Sequence, residues 1–143
     1  MGIAEEDGRL PLKRGPKALQ EKGIPYYHLT KKGVLVGLSI NGIENMSSEF
    51  KKFFAESEPK EKEFENILSK FMTNSPTFTY SIFQKYVKAF CEDKIKELLP
   101  FDLSKLQDIS DEDLIIQKEI VLAFGKLSNK EKKEAIVFLE KIT

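Results

Sequence analysis

The chain has no tryptophan, one cysteine and one histidine in 143 residues. A lone cysteine excludes a disulfide framework and suits a reducing, cytoplasmic compartment. With one His and one Cys, most metal and nucleophile chemistries lack their parts, so neither a metal nor a cofactor is expected. A P-loop, a Rossmann glycine triplet, a zinc pair and a nucleophile elbow are all missing. Nothing in the order of residues places two carboxylates in one pocket, and the chain is not expected to be an enzyme. Long apolar runs are missing too. The longest, Val34 to Ile40, is short and contains Gly37 and Ser39, so a membrane span is not expected. Met1 to Gly8 is acidic, lacks an apolar targeting core and reads as a frayed tail. Glu6 stands where a myristoylation start would want Ser or Thr.

What is present is an ordinary globular composition, 41% hydrophobic and 32% charged, with eleven Phe and four Tyr. That excludes disorder throughout. A chain of this length buries roughly 68–70% of its unfolded surface and folds without a metal or disulfide. The formal net charge is zero but unevenly spread. Residues 9–42 carry seven bases, including both arginines, Arg9 and Arg14, against the single acid Glu21. Residues 43–143 carry sixteen lysines against nineteen acids. Such asymmetry points to an anionic partner for the basic stretch, or to a solvated basic face.

Local signals outline the elements. Lys17 to Lys22 reads as a short helix, with Pro16 suited to its first turn and Gly23 to a left-handed cap. Ile24 to Leu29 alternates, is rich in aromatics and reads as a short strand. Thr30 to Ile40 is ambiguous: a hairpin through Lys31-Lys32-Gly33, or a helix capped by Thr30 with Val34, Leu35, Leu38 and Ser39 on one face. Asn41-Gly42 breaks the chain. From Ser47 the period is helical. Phe50, Phe53 and Phe54 mark one short helix, whose flanking lysines make it a candidate for docking on a second subunit. A second helix opens at Pro59, with Phe64, Ile67, Leu68, Phe71 and Met72 as its stripe. A third starts at Pro76, carries Phe78, Ile82, Phe83, Tyr86, Val87, Phe90 and Leu98, and runs to Pro100. Leu103, Leu106 and Ile109 suggest a connecting turn of helix. Ser110 to Asp113 is an acidic start for a fourth long helix. Ser128 to Glu131 is a capping box for a last one, expected to bury Ala135, Ile136, Phe138, Leu139 and Ile142. The expected fold is mainly α. Residues 1–8 are a tail, residues 9–42 a basic segment with little β, and residues 43–143 an antiparallel helical bundle.

Leu19-Gln20-Glu21-Lys22-Gly23-Ile24, followed by Tyr26-Tyr27-His28-Leu29-Thr30-Lys31-Lys32-Gly33, resembles winged-helix transcriptional regulators. In that family a recognition helix ends in a similar leucine, charged pair and glycine. A wing strand then closes on Leu-Thr-x-x-Gly and leads into the next helix. The resemblance covers roughly residues 14–40, about a fifth of the chain. It implies that Lys13, Arg14, Lys17 and Gln20 face duplex DNA, that Lys31 and Lys32 lie near the wing end, and that residues 31–40 are helical. Arg and Lys side chains pair phosphates, and Arg forks onto guanine. Six neutralised phosphates would give a salt slope near about −5.

Other candidates carry less. His28 has no second ligand nearby and reads as structural. Cys91, beside Phe90, reads as a small buried apolar residue. Tyr26 and Tyr27 read as strand-to-helix packing ahead of base stacking. Asp108 to Glu119 has the outline of a calcium loop, but Asp113 replaces the turn glycine and Ile116 a ligand, so the helix cap is preferred. The function expected is a DNA-binding transcriptional regulator, its bundle serving dimerisation or sensing, with a homodimer to set half-site spacing. The alternative is a non-enzymatic helical protein–protein interaction module.

Overall fold

The computed structural model describes residues 2–40 and 46–143; the expected break at Asn41-Gly42 lies outside them. The element order is β1 (Ala4–Leu10), α1 (Lys17–Lys22), β2 (Ile24–Leu29), α2 (Lys31–Leu38), α3 (Met46–Ala55), α4 (Glu65–Asn74) and α5 (Pro76–Cys91). A turn of 3-10 helix (Leu103–Leu106), α6 (Glu112–Lys126) and α7 (Asn129–Ile142) complete it. The protein is mainly helical, with one two-stranded antiparallel sheet at its N-terminus. Among the described residues no helix is long and apolar enough to cross a membrane.

The chain divides into two compact units, Met1–Gln107 and Asp108–Thr143. In the first, α2, α3 and α5 share one core. Leu35 and Leu38 from α2, Phe50, Phe53 and Phe54 from α3, and Ile82, Phe83 and Tyr86 from α5 are all buried. Phe101, from the segment after α5, sits at the centre. Its ring lies 5.6 Å from Phe53, 5.6 Å from Phe83 and 5.0 Å from Tyr86, the edge-on and offset spacings that aromatic quadrupoles favour. The phenylalanines of α3 therefore face inward, and the expectation that they dock on a second subunit is corrected: their apolar area is already covered by this chain.

Several boundaries differ from the sequence expectation for identifiable reasons. Ala4–Leu10 is a strand, not a frayed tail. It pairs antiparallel with β2 from Ala4 opposite Leu29 to Leu10 opposite Ile24, with an irregularity between Glu6 and Gly8. The Tyr26 ring covers Gly8, where a Cβ would come within 2.7 Å of the phenolic oxygen. Residues 31–38 are helical, and Thr30 accepts from the Gly33 N–H at 3.1 Å. Pro59 opens a series of turns, and α4 starts only at Glu65, because the chain around Glu61 turns inward to bury that carboxylate. α5 stops at Cys91, well before Pro100. Asp93 takes a left-handed backbone (φ 57°), and the Lys94 and Ile95 N–H groups both donate to the Ala89 carbonyl at 2.8 and 3.1 Å. Leu98 reaches the core from the following loop, and Cys91 is exposed rather than buried.

The second unit consists of α6 and α7. Asp111 caps α6 by accepting from the Leu114 N–H at 3.0 Å, which bears out the helix-cap reading of residues 110–113. Ser128 and Glu131 form the expected capping box on α7. The expected burial along α7 does not occur: neither helix has a buried side chain.

Candidate nucleic-acid interface

The strands form a ribbon whose residues are exposed on both faces, apart from partial cover at Gly8 and Pro25. At one end, Leu10 and Ile24 close the pairing, and residues 11–23 form a tip that contains α1. The tip is tied together by the backbone. Gly23 adopts φ +71°, and a Cβ there would lie 2.7 Å from the Leu10 carbonyl oxygen, so only glycine lets the chain turn from α1 into β2 this tightly. The Arg9 guanidinium donates to the Lys22 carbonyl at 2.6 Å and the Gly23 carbonyl at 3.2 Å, and pairs with Glu6 at 3.1 Å. Arg9 thus satisfies carbonyls that the end of α1 leaves open.

The remaining bases of the tip stand outward. Lys13, Arg14, Lys17 and Lys22 are exposed and make no ion pair among the described residues. Gln20 is exposed, but its side-chain amide donates to the Gly15 carbonyl and steadies the bend that presents Lys13 and Arg14. Lys22 belongs to this group although it was not among the sequence candidates; its place in the basic stretch was the available signal.

Lys31 and Lys32 lie at the opposite end of the ribbon. The six residues of β2 separate them from the tip, about 20 Å at the rise of a strand. Lys32 is exposed. Lys31 is not a free cation: its ammonium pairs with Glu61 at 2.6 Å and lies 5.4 Å from the centre of the Phe53 ring. That pairing sets it apart from the outward bases of the tip. The base of the ribbon is anchored nearby. The Thr30 N–H donates to the Ile3 carbonyl at 2.9 Å, and Gly33 packs directly against that carbonyl. His28 bonds through Nε2 to Glu5 at 3.0 Å, the structural role expected of it. Tyr27 is 61% exposed and Tyr26 packs on Gly8, so neither makes the strand-to-helix packing expected.

Glu61 is the polar centre of the first unit. One carboxylate oxygen accepts from Lys31 and from the Glu58 N–H at 3.0 Å, the other from the Phe101 N–H at 2.9 Å. Burial alone would raise the Glu61 carboxyl. The Lys31 bond, the two backbone donors and the Lys31 charge outweigh it and hold the group below the ordinary carboxylate range. Tyr86 donates to the Leu98 carbonyl at 3.0 Å, and burial, reinforced by the charges of Asp102 and Glu61, pushes its phenol up. A groove of about 480 Å³ between β2, α2 and α3 is lined by His28, Lys31, Glu49 and Lys52. Lys52 there pairs with Glu49 at 2.9 Å and Lys31 with Glu61, and Glu56 also lines the groove. No family model, no curated protein and no solved structure matches the chain.

Proposed function

We propose that this is a cytoplasmic, non-enzymatic DNA-binding regulator that contacts duplex DNA through the tip of its ribbon. The observation that carries the reading is the cluster of Lys13, Arg14, Lys17 and Lys22, exposed and without ion pairs among the described residues, on a ribbon that leaves the helical core behind it. Two-stranded ribbons are among the elements that enter a DNA groove, and lysine and arginine pair phosphates whatever the sequence. The resemblance to winged-helix regulators supports the same end of the molecule, with Lys13, Arg14, Lys17 and Gln20 on or before the stretch that resembles the end of a recognition helix.

Four phosphate contacts would give a salt slope near about −3.6. Fluorescence anisotropy with a mixed-sequence duplex, run as a salt series, tests this. Lys13→Glu with Arg14→Glu should abolish most of the affinity, whereas Lys31→Met should leave the salt slope unchanged in folded protein. Absence of binding by folded wild type at low salt, or an unchanged slope in the Lys13/Arg14 variant, overturns the reading.

A further inference from the structure

We infer that Tyr27 makes the ribbon a stacking platform for single-stranded nucleic acid, a ligand class separate from the duplex of the preceding reading. The inference rests on that reading in one respect: the outward cations of the tip supply the phosphate contacts.

Tyr27 is free to take a ligand. In the core a tyrosine settles both of its ends: the Tyr86 ring is buried, and its hydroxyl donates to the Leu98 carbonyl. Tyr27 does neither. It is 61% exposed, and among the described residues its ring has no aromatic pair and its hydroxyl no hydrogen bond. Tyr26, next to it, is turned over Gly8. Successive residues of a strand face opposite ways, so Tyr27 shares a face with Pro25 and Leu29, and Leu29 is 52% exposed. That face presents a flat aromatic ring flanked by apolar side chains.

Charge distinguishes this face from its reverse. Directly opposed residues of an antiparallel pair lie on one face; Glu6 opposes Tyr27, and Arg9 opposes Pro25. Residues three apart in a regular strand point opposite ways, but the register shift between Glu6 and Gly8 brings Glu6 and Arg9 together at 3.1 Å. The carboxylate beside Tyr27 is therefore paired. The other acids of β1, Glu5 and Asp7, lie 3.0 and 3.7 Å from the ring nitrogens of His28, on the reverse face with Tyr26. Arg9 also bonds the Lys22 and Gly23 carbonyls, so the Tyr27 face adjoins the tip and its exposed Lys13, Arg14, Lys17 and Lys22. Tyr27 is three residues from the start of β2, about 10 Å at the rise of a strand.

An exposed ring beside a group of unpaired cations is the pattern that holds single strands. The cations follow the phosphates, and nucleobases stack on the ring whatever their sequence. A duplex keeps its base faces inside the stack, so Tyr27 tells the two ligands apart.

Fluorescence anisotropy of the full chain with labelled oligo-dT and oligo-U, beside the mixed-sequence duplex, tests the inference. Both single strands should bind, and four phosphate contacts to a single strand give a salt slope of about −2.8. Tyr27→Ala should weaken both by about tenfold and leave the duplex affinity unchanged. Tyr27→Phe keeps the ring and should retain the affinity to within about threefold. The chain has no tryptophan, so the emission of its four tyrosines gives a second readout. Oligo-dT should quench that emission, and Tyr27→Phe should remove most of the quenching. The urea midpoint of Tyr27→Ala should match wild type. Folded protein that binds duplex but no single strand overturns the inference and spares the duplex reading; binding of neither overturns both. Undiminished quenching in Tyr27→Phe, unchanged single-strand affinity in Tyr27→Ala, or parallel loss of duplex and single-strand affinity each overturns it. A lower urea midpoint in Tyr27→Ala also does, because the ring would then be packing on other residues of this chain.

Discussion

Replacement of Glu61 should unfasten the first unit more than any other single polar substitution. The side chain is 3% exposed and holds three donors. Glu61→Ala leaves the buried Phe101 N–H, the Glu58 N–H and the Lys31 ammonium without their acceptor. Each unpartnered buried donor costs about 1–3 kcal/mol, and breaking a buried ion pair from one side costs about 3–5 kcal/mol. These ranges describe overlapping losses. Lys31 is 27% exposed and recovers some hydration, which places the expected cost at about 3–4 kcal/mol. Glu61→Gln keeps one acceptor but sets an amide NH2 against donors, for about 2–3 kcal/mol. Urea denaturation followed by circular dichroism reads both values. The pH dependence gives a second reading. A carboxyl whose folded pKa is depressed contributes stability that is present above its unfolded pKa and is lost as pH falls through the folded one. Wild type should therefore weaken below about pH 4.5, and Glu61→Gln should lose part of that acid dependence. Glu61→Ala within about 0.5 kcal/mol of wild type, or an unaltered acid limb in Glu61→Gln, would refute the assignment of Glu61 as the polar centre.

Two further outcomes follow from local geometry. Gly33→Ala should destabilise the attachment of β1, because the new Cβ would fall on the Ile3 carbonyl oxygen that also receives the Thr30 N–H. The clash exceeds the helix-propensity gain of about 1 kcal/mol, and amide exchange at Thr30 should accelerate relative to wild type. Ser128→Ala removes the hydroxyl half of the α7 capping box, leaving the residue-128 N–H on the Glu131 carboxylate, and should cost about 1 kcal/mol, seen as faster exchange at the Glu131 amide with no change in the Glu61 network.

The helices were legible in the residue order because their signals are local. Asp111 and Ser128 each accept from an N–H three residues on, as Thr30 does in a segment that also read as a hairpin, and Gly23 takes the left-handed backbone its position announces. The strand Ile24–Leu29 and the basic character of the tip could be read in the same way. The strand Ala4–Leu10 could not. It is rich in acids, and its pairing partner lies across the whole of the tip, so the hydrogen bonds that define it join residues with no local relation. Lys31 illustrates the same limit. Beside Lys32 it reads as one of two exposed bases, and only the fold brings Glu61, thirty residues away, to within 2.6 Å of it. The stop of the fifth helix at Cys91 likewise depends on Asp93 and on Ile95 and Leu98 turning into the core.

Periodicity tells which face of a helix is apolar but not what covers it. The stripes of α3 and α7 look equivalent along the chain. Tertiary contacts bury Phe50, Phe53 and Phe54 and leave Phe138, Leu139 and Ile142 open, because burial depends on which elements meet in space. Composition and short-range spacing were therefore sufficient for a mainly helical protein with a basic N-terminal segment. The exposed ribbon tip, the buried carboxylate that engages Lys31 and the uncovered second unit emerged only when distant segments were brought together.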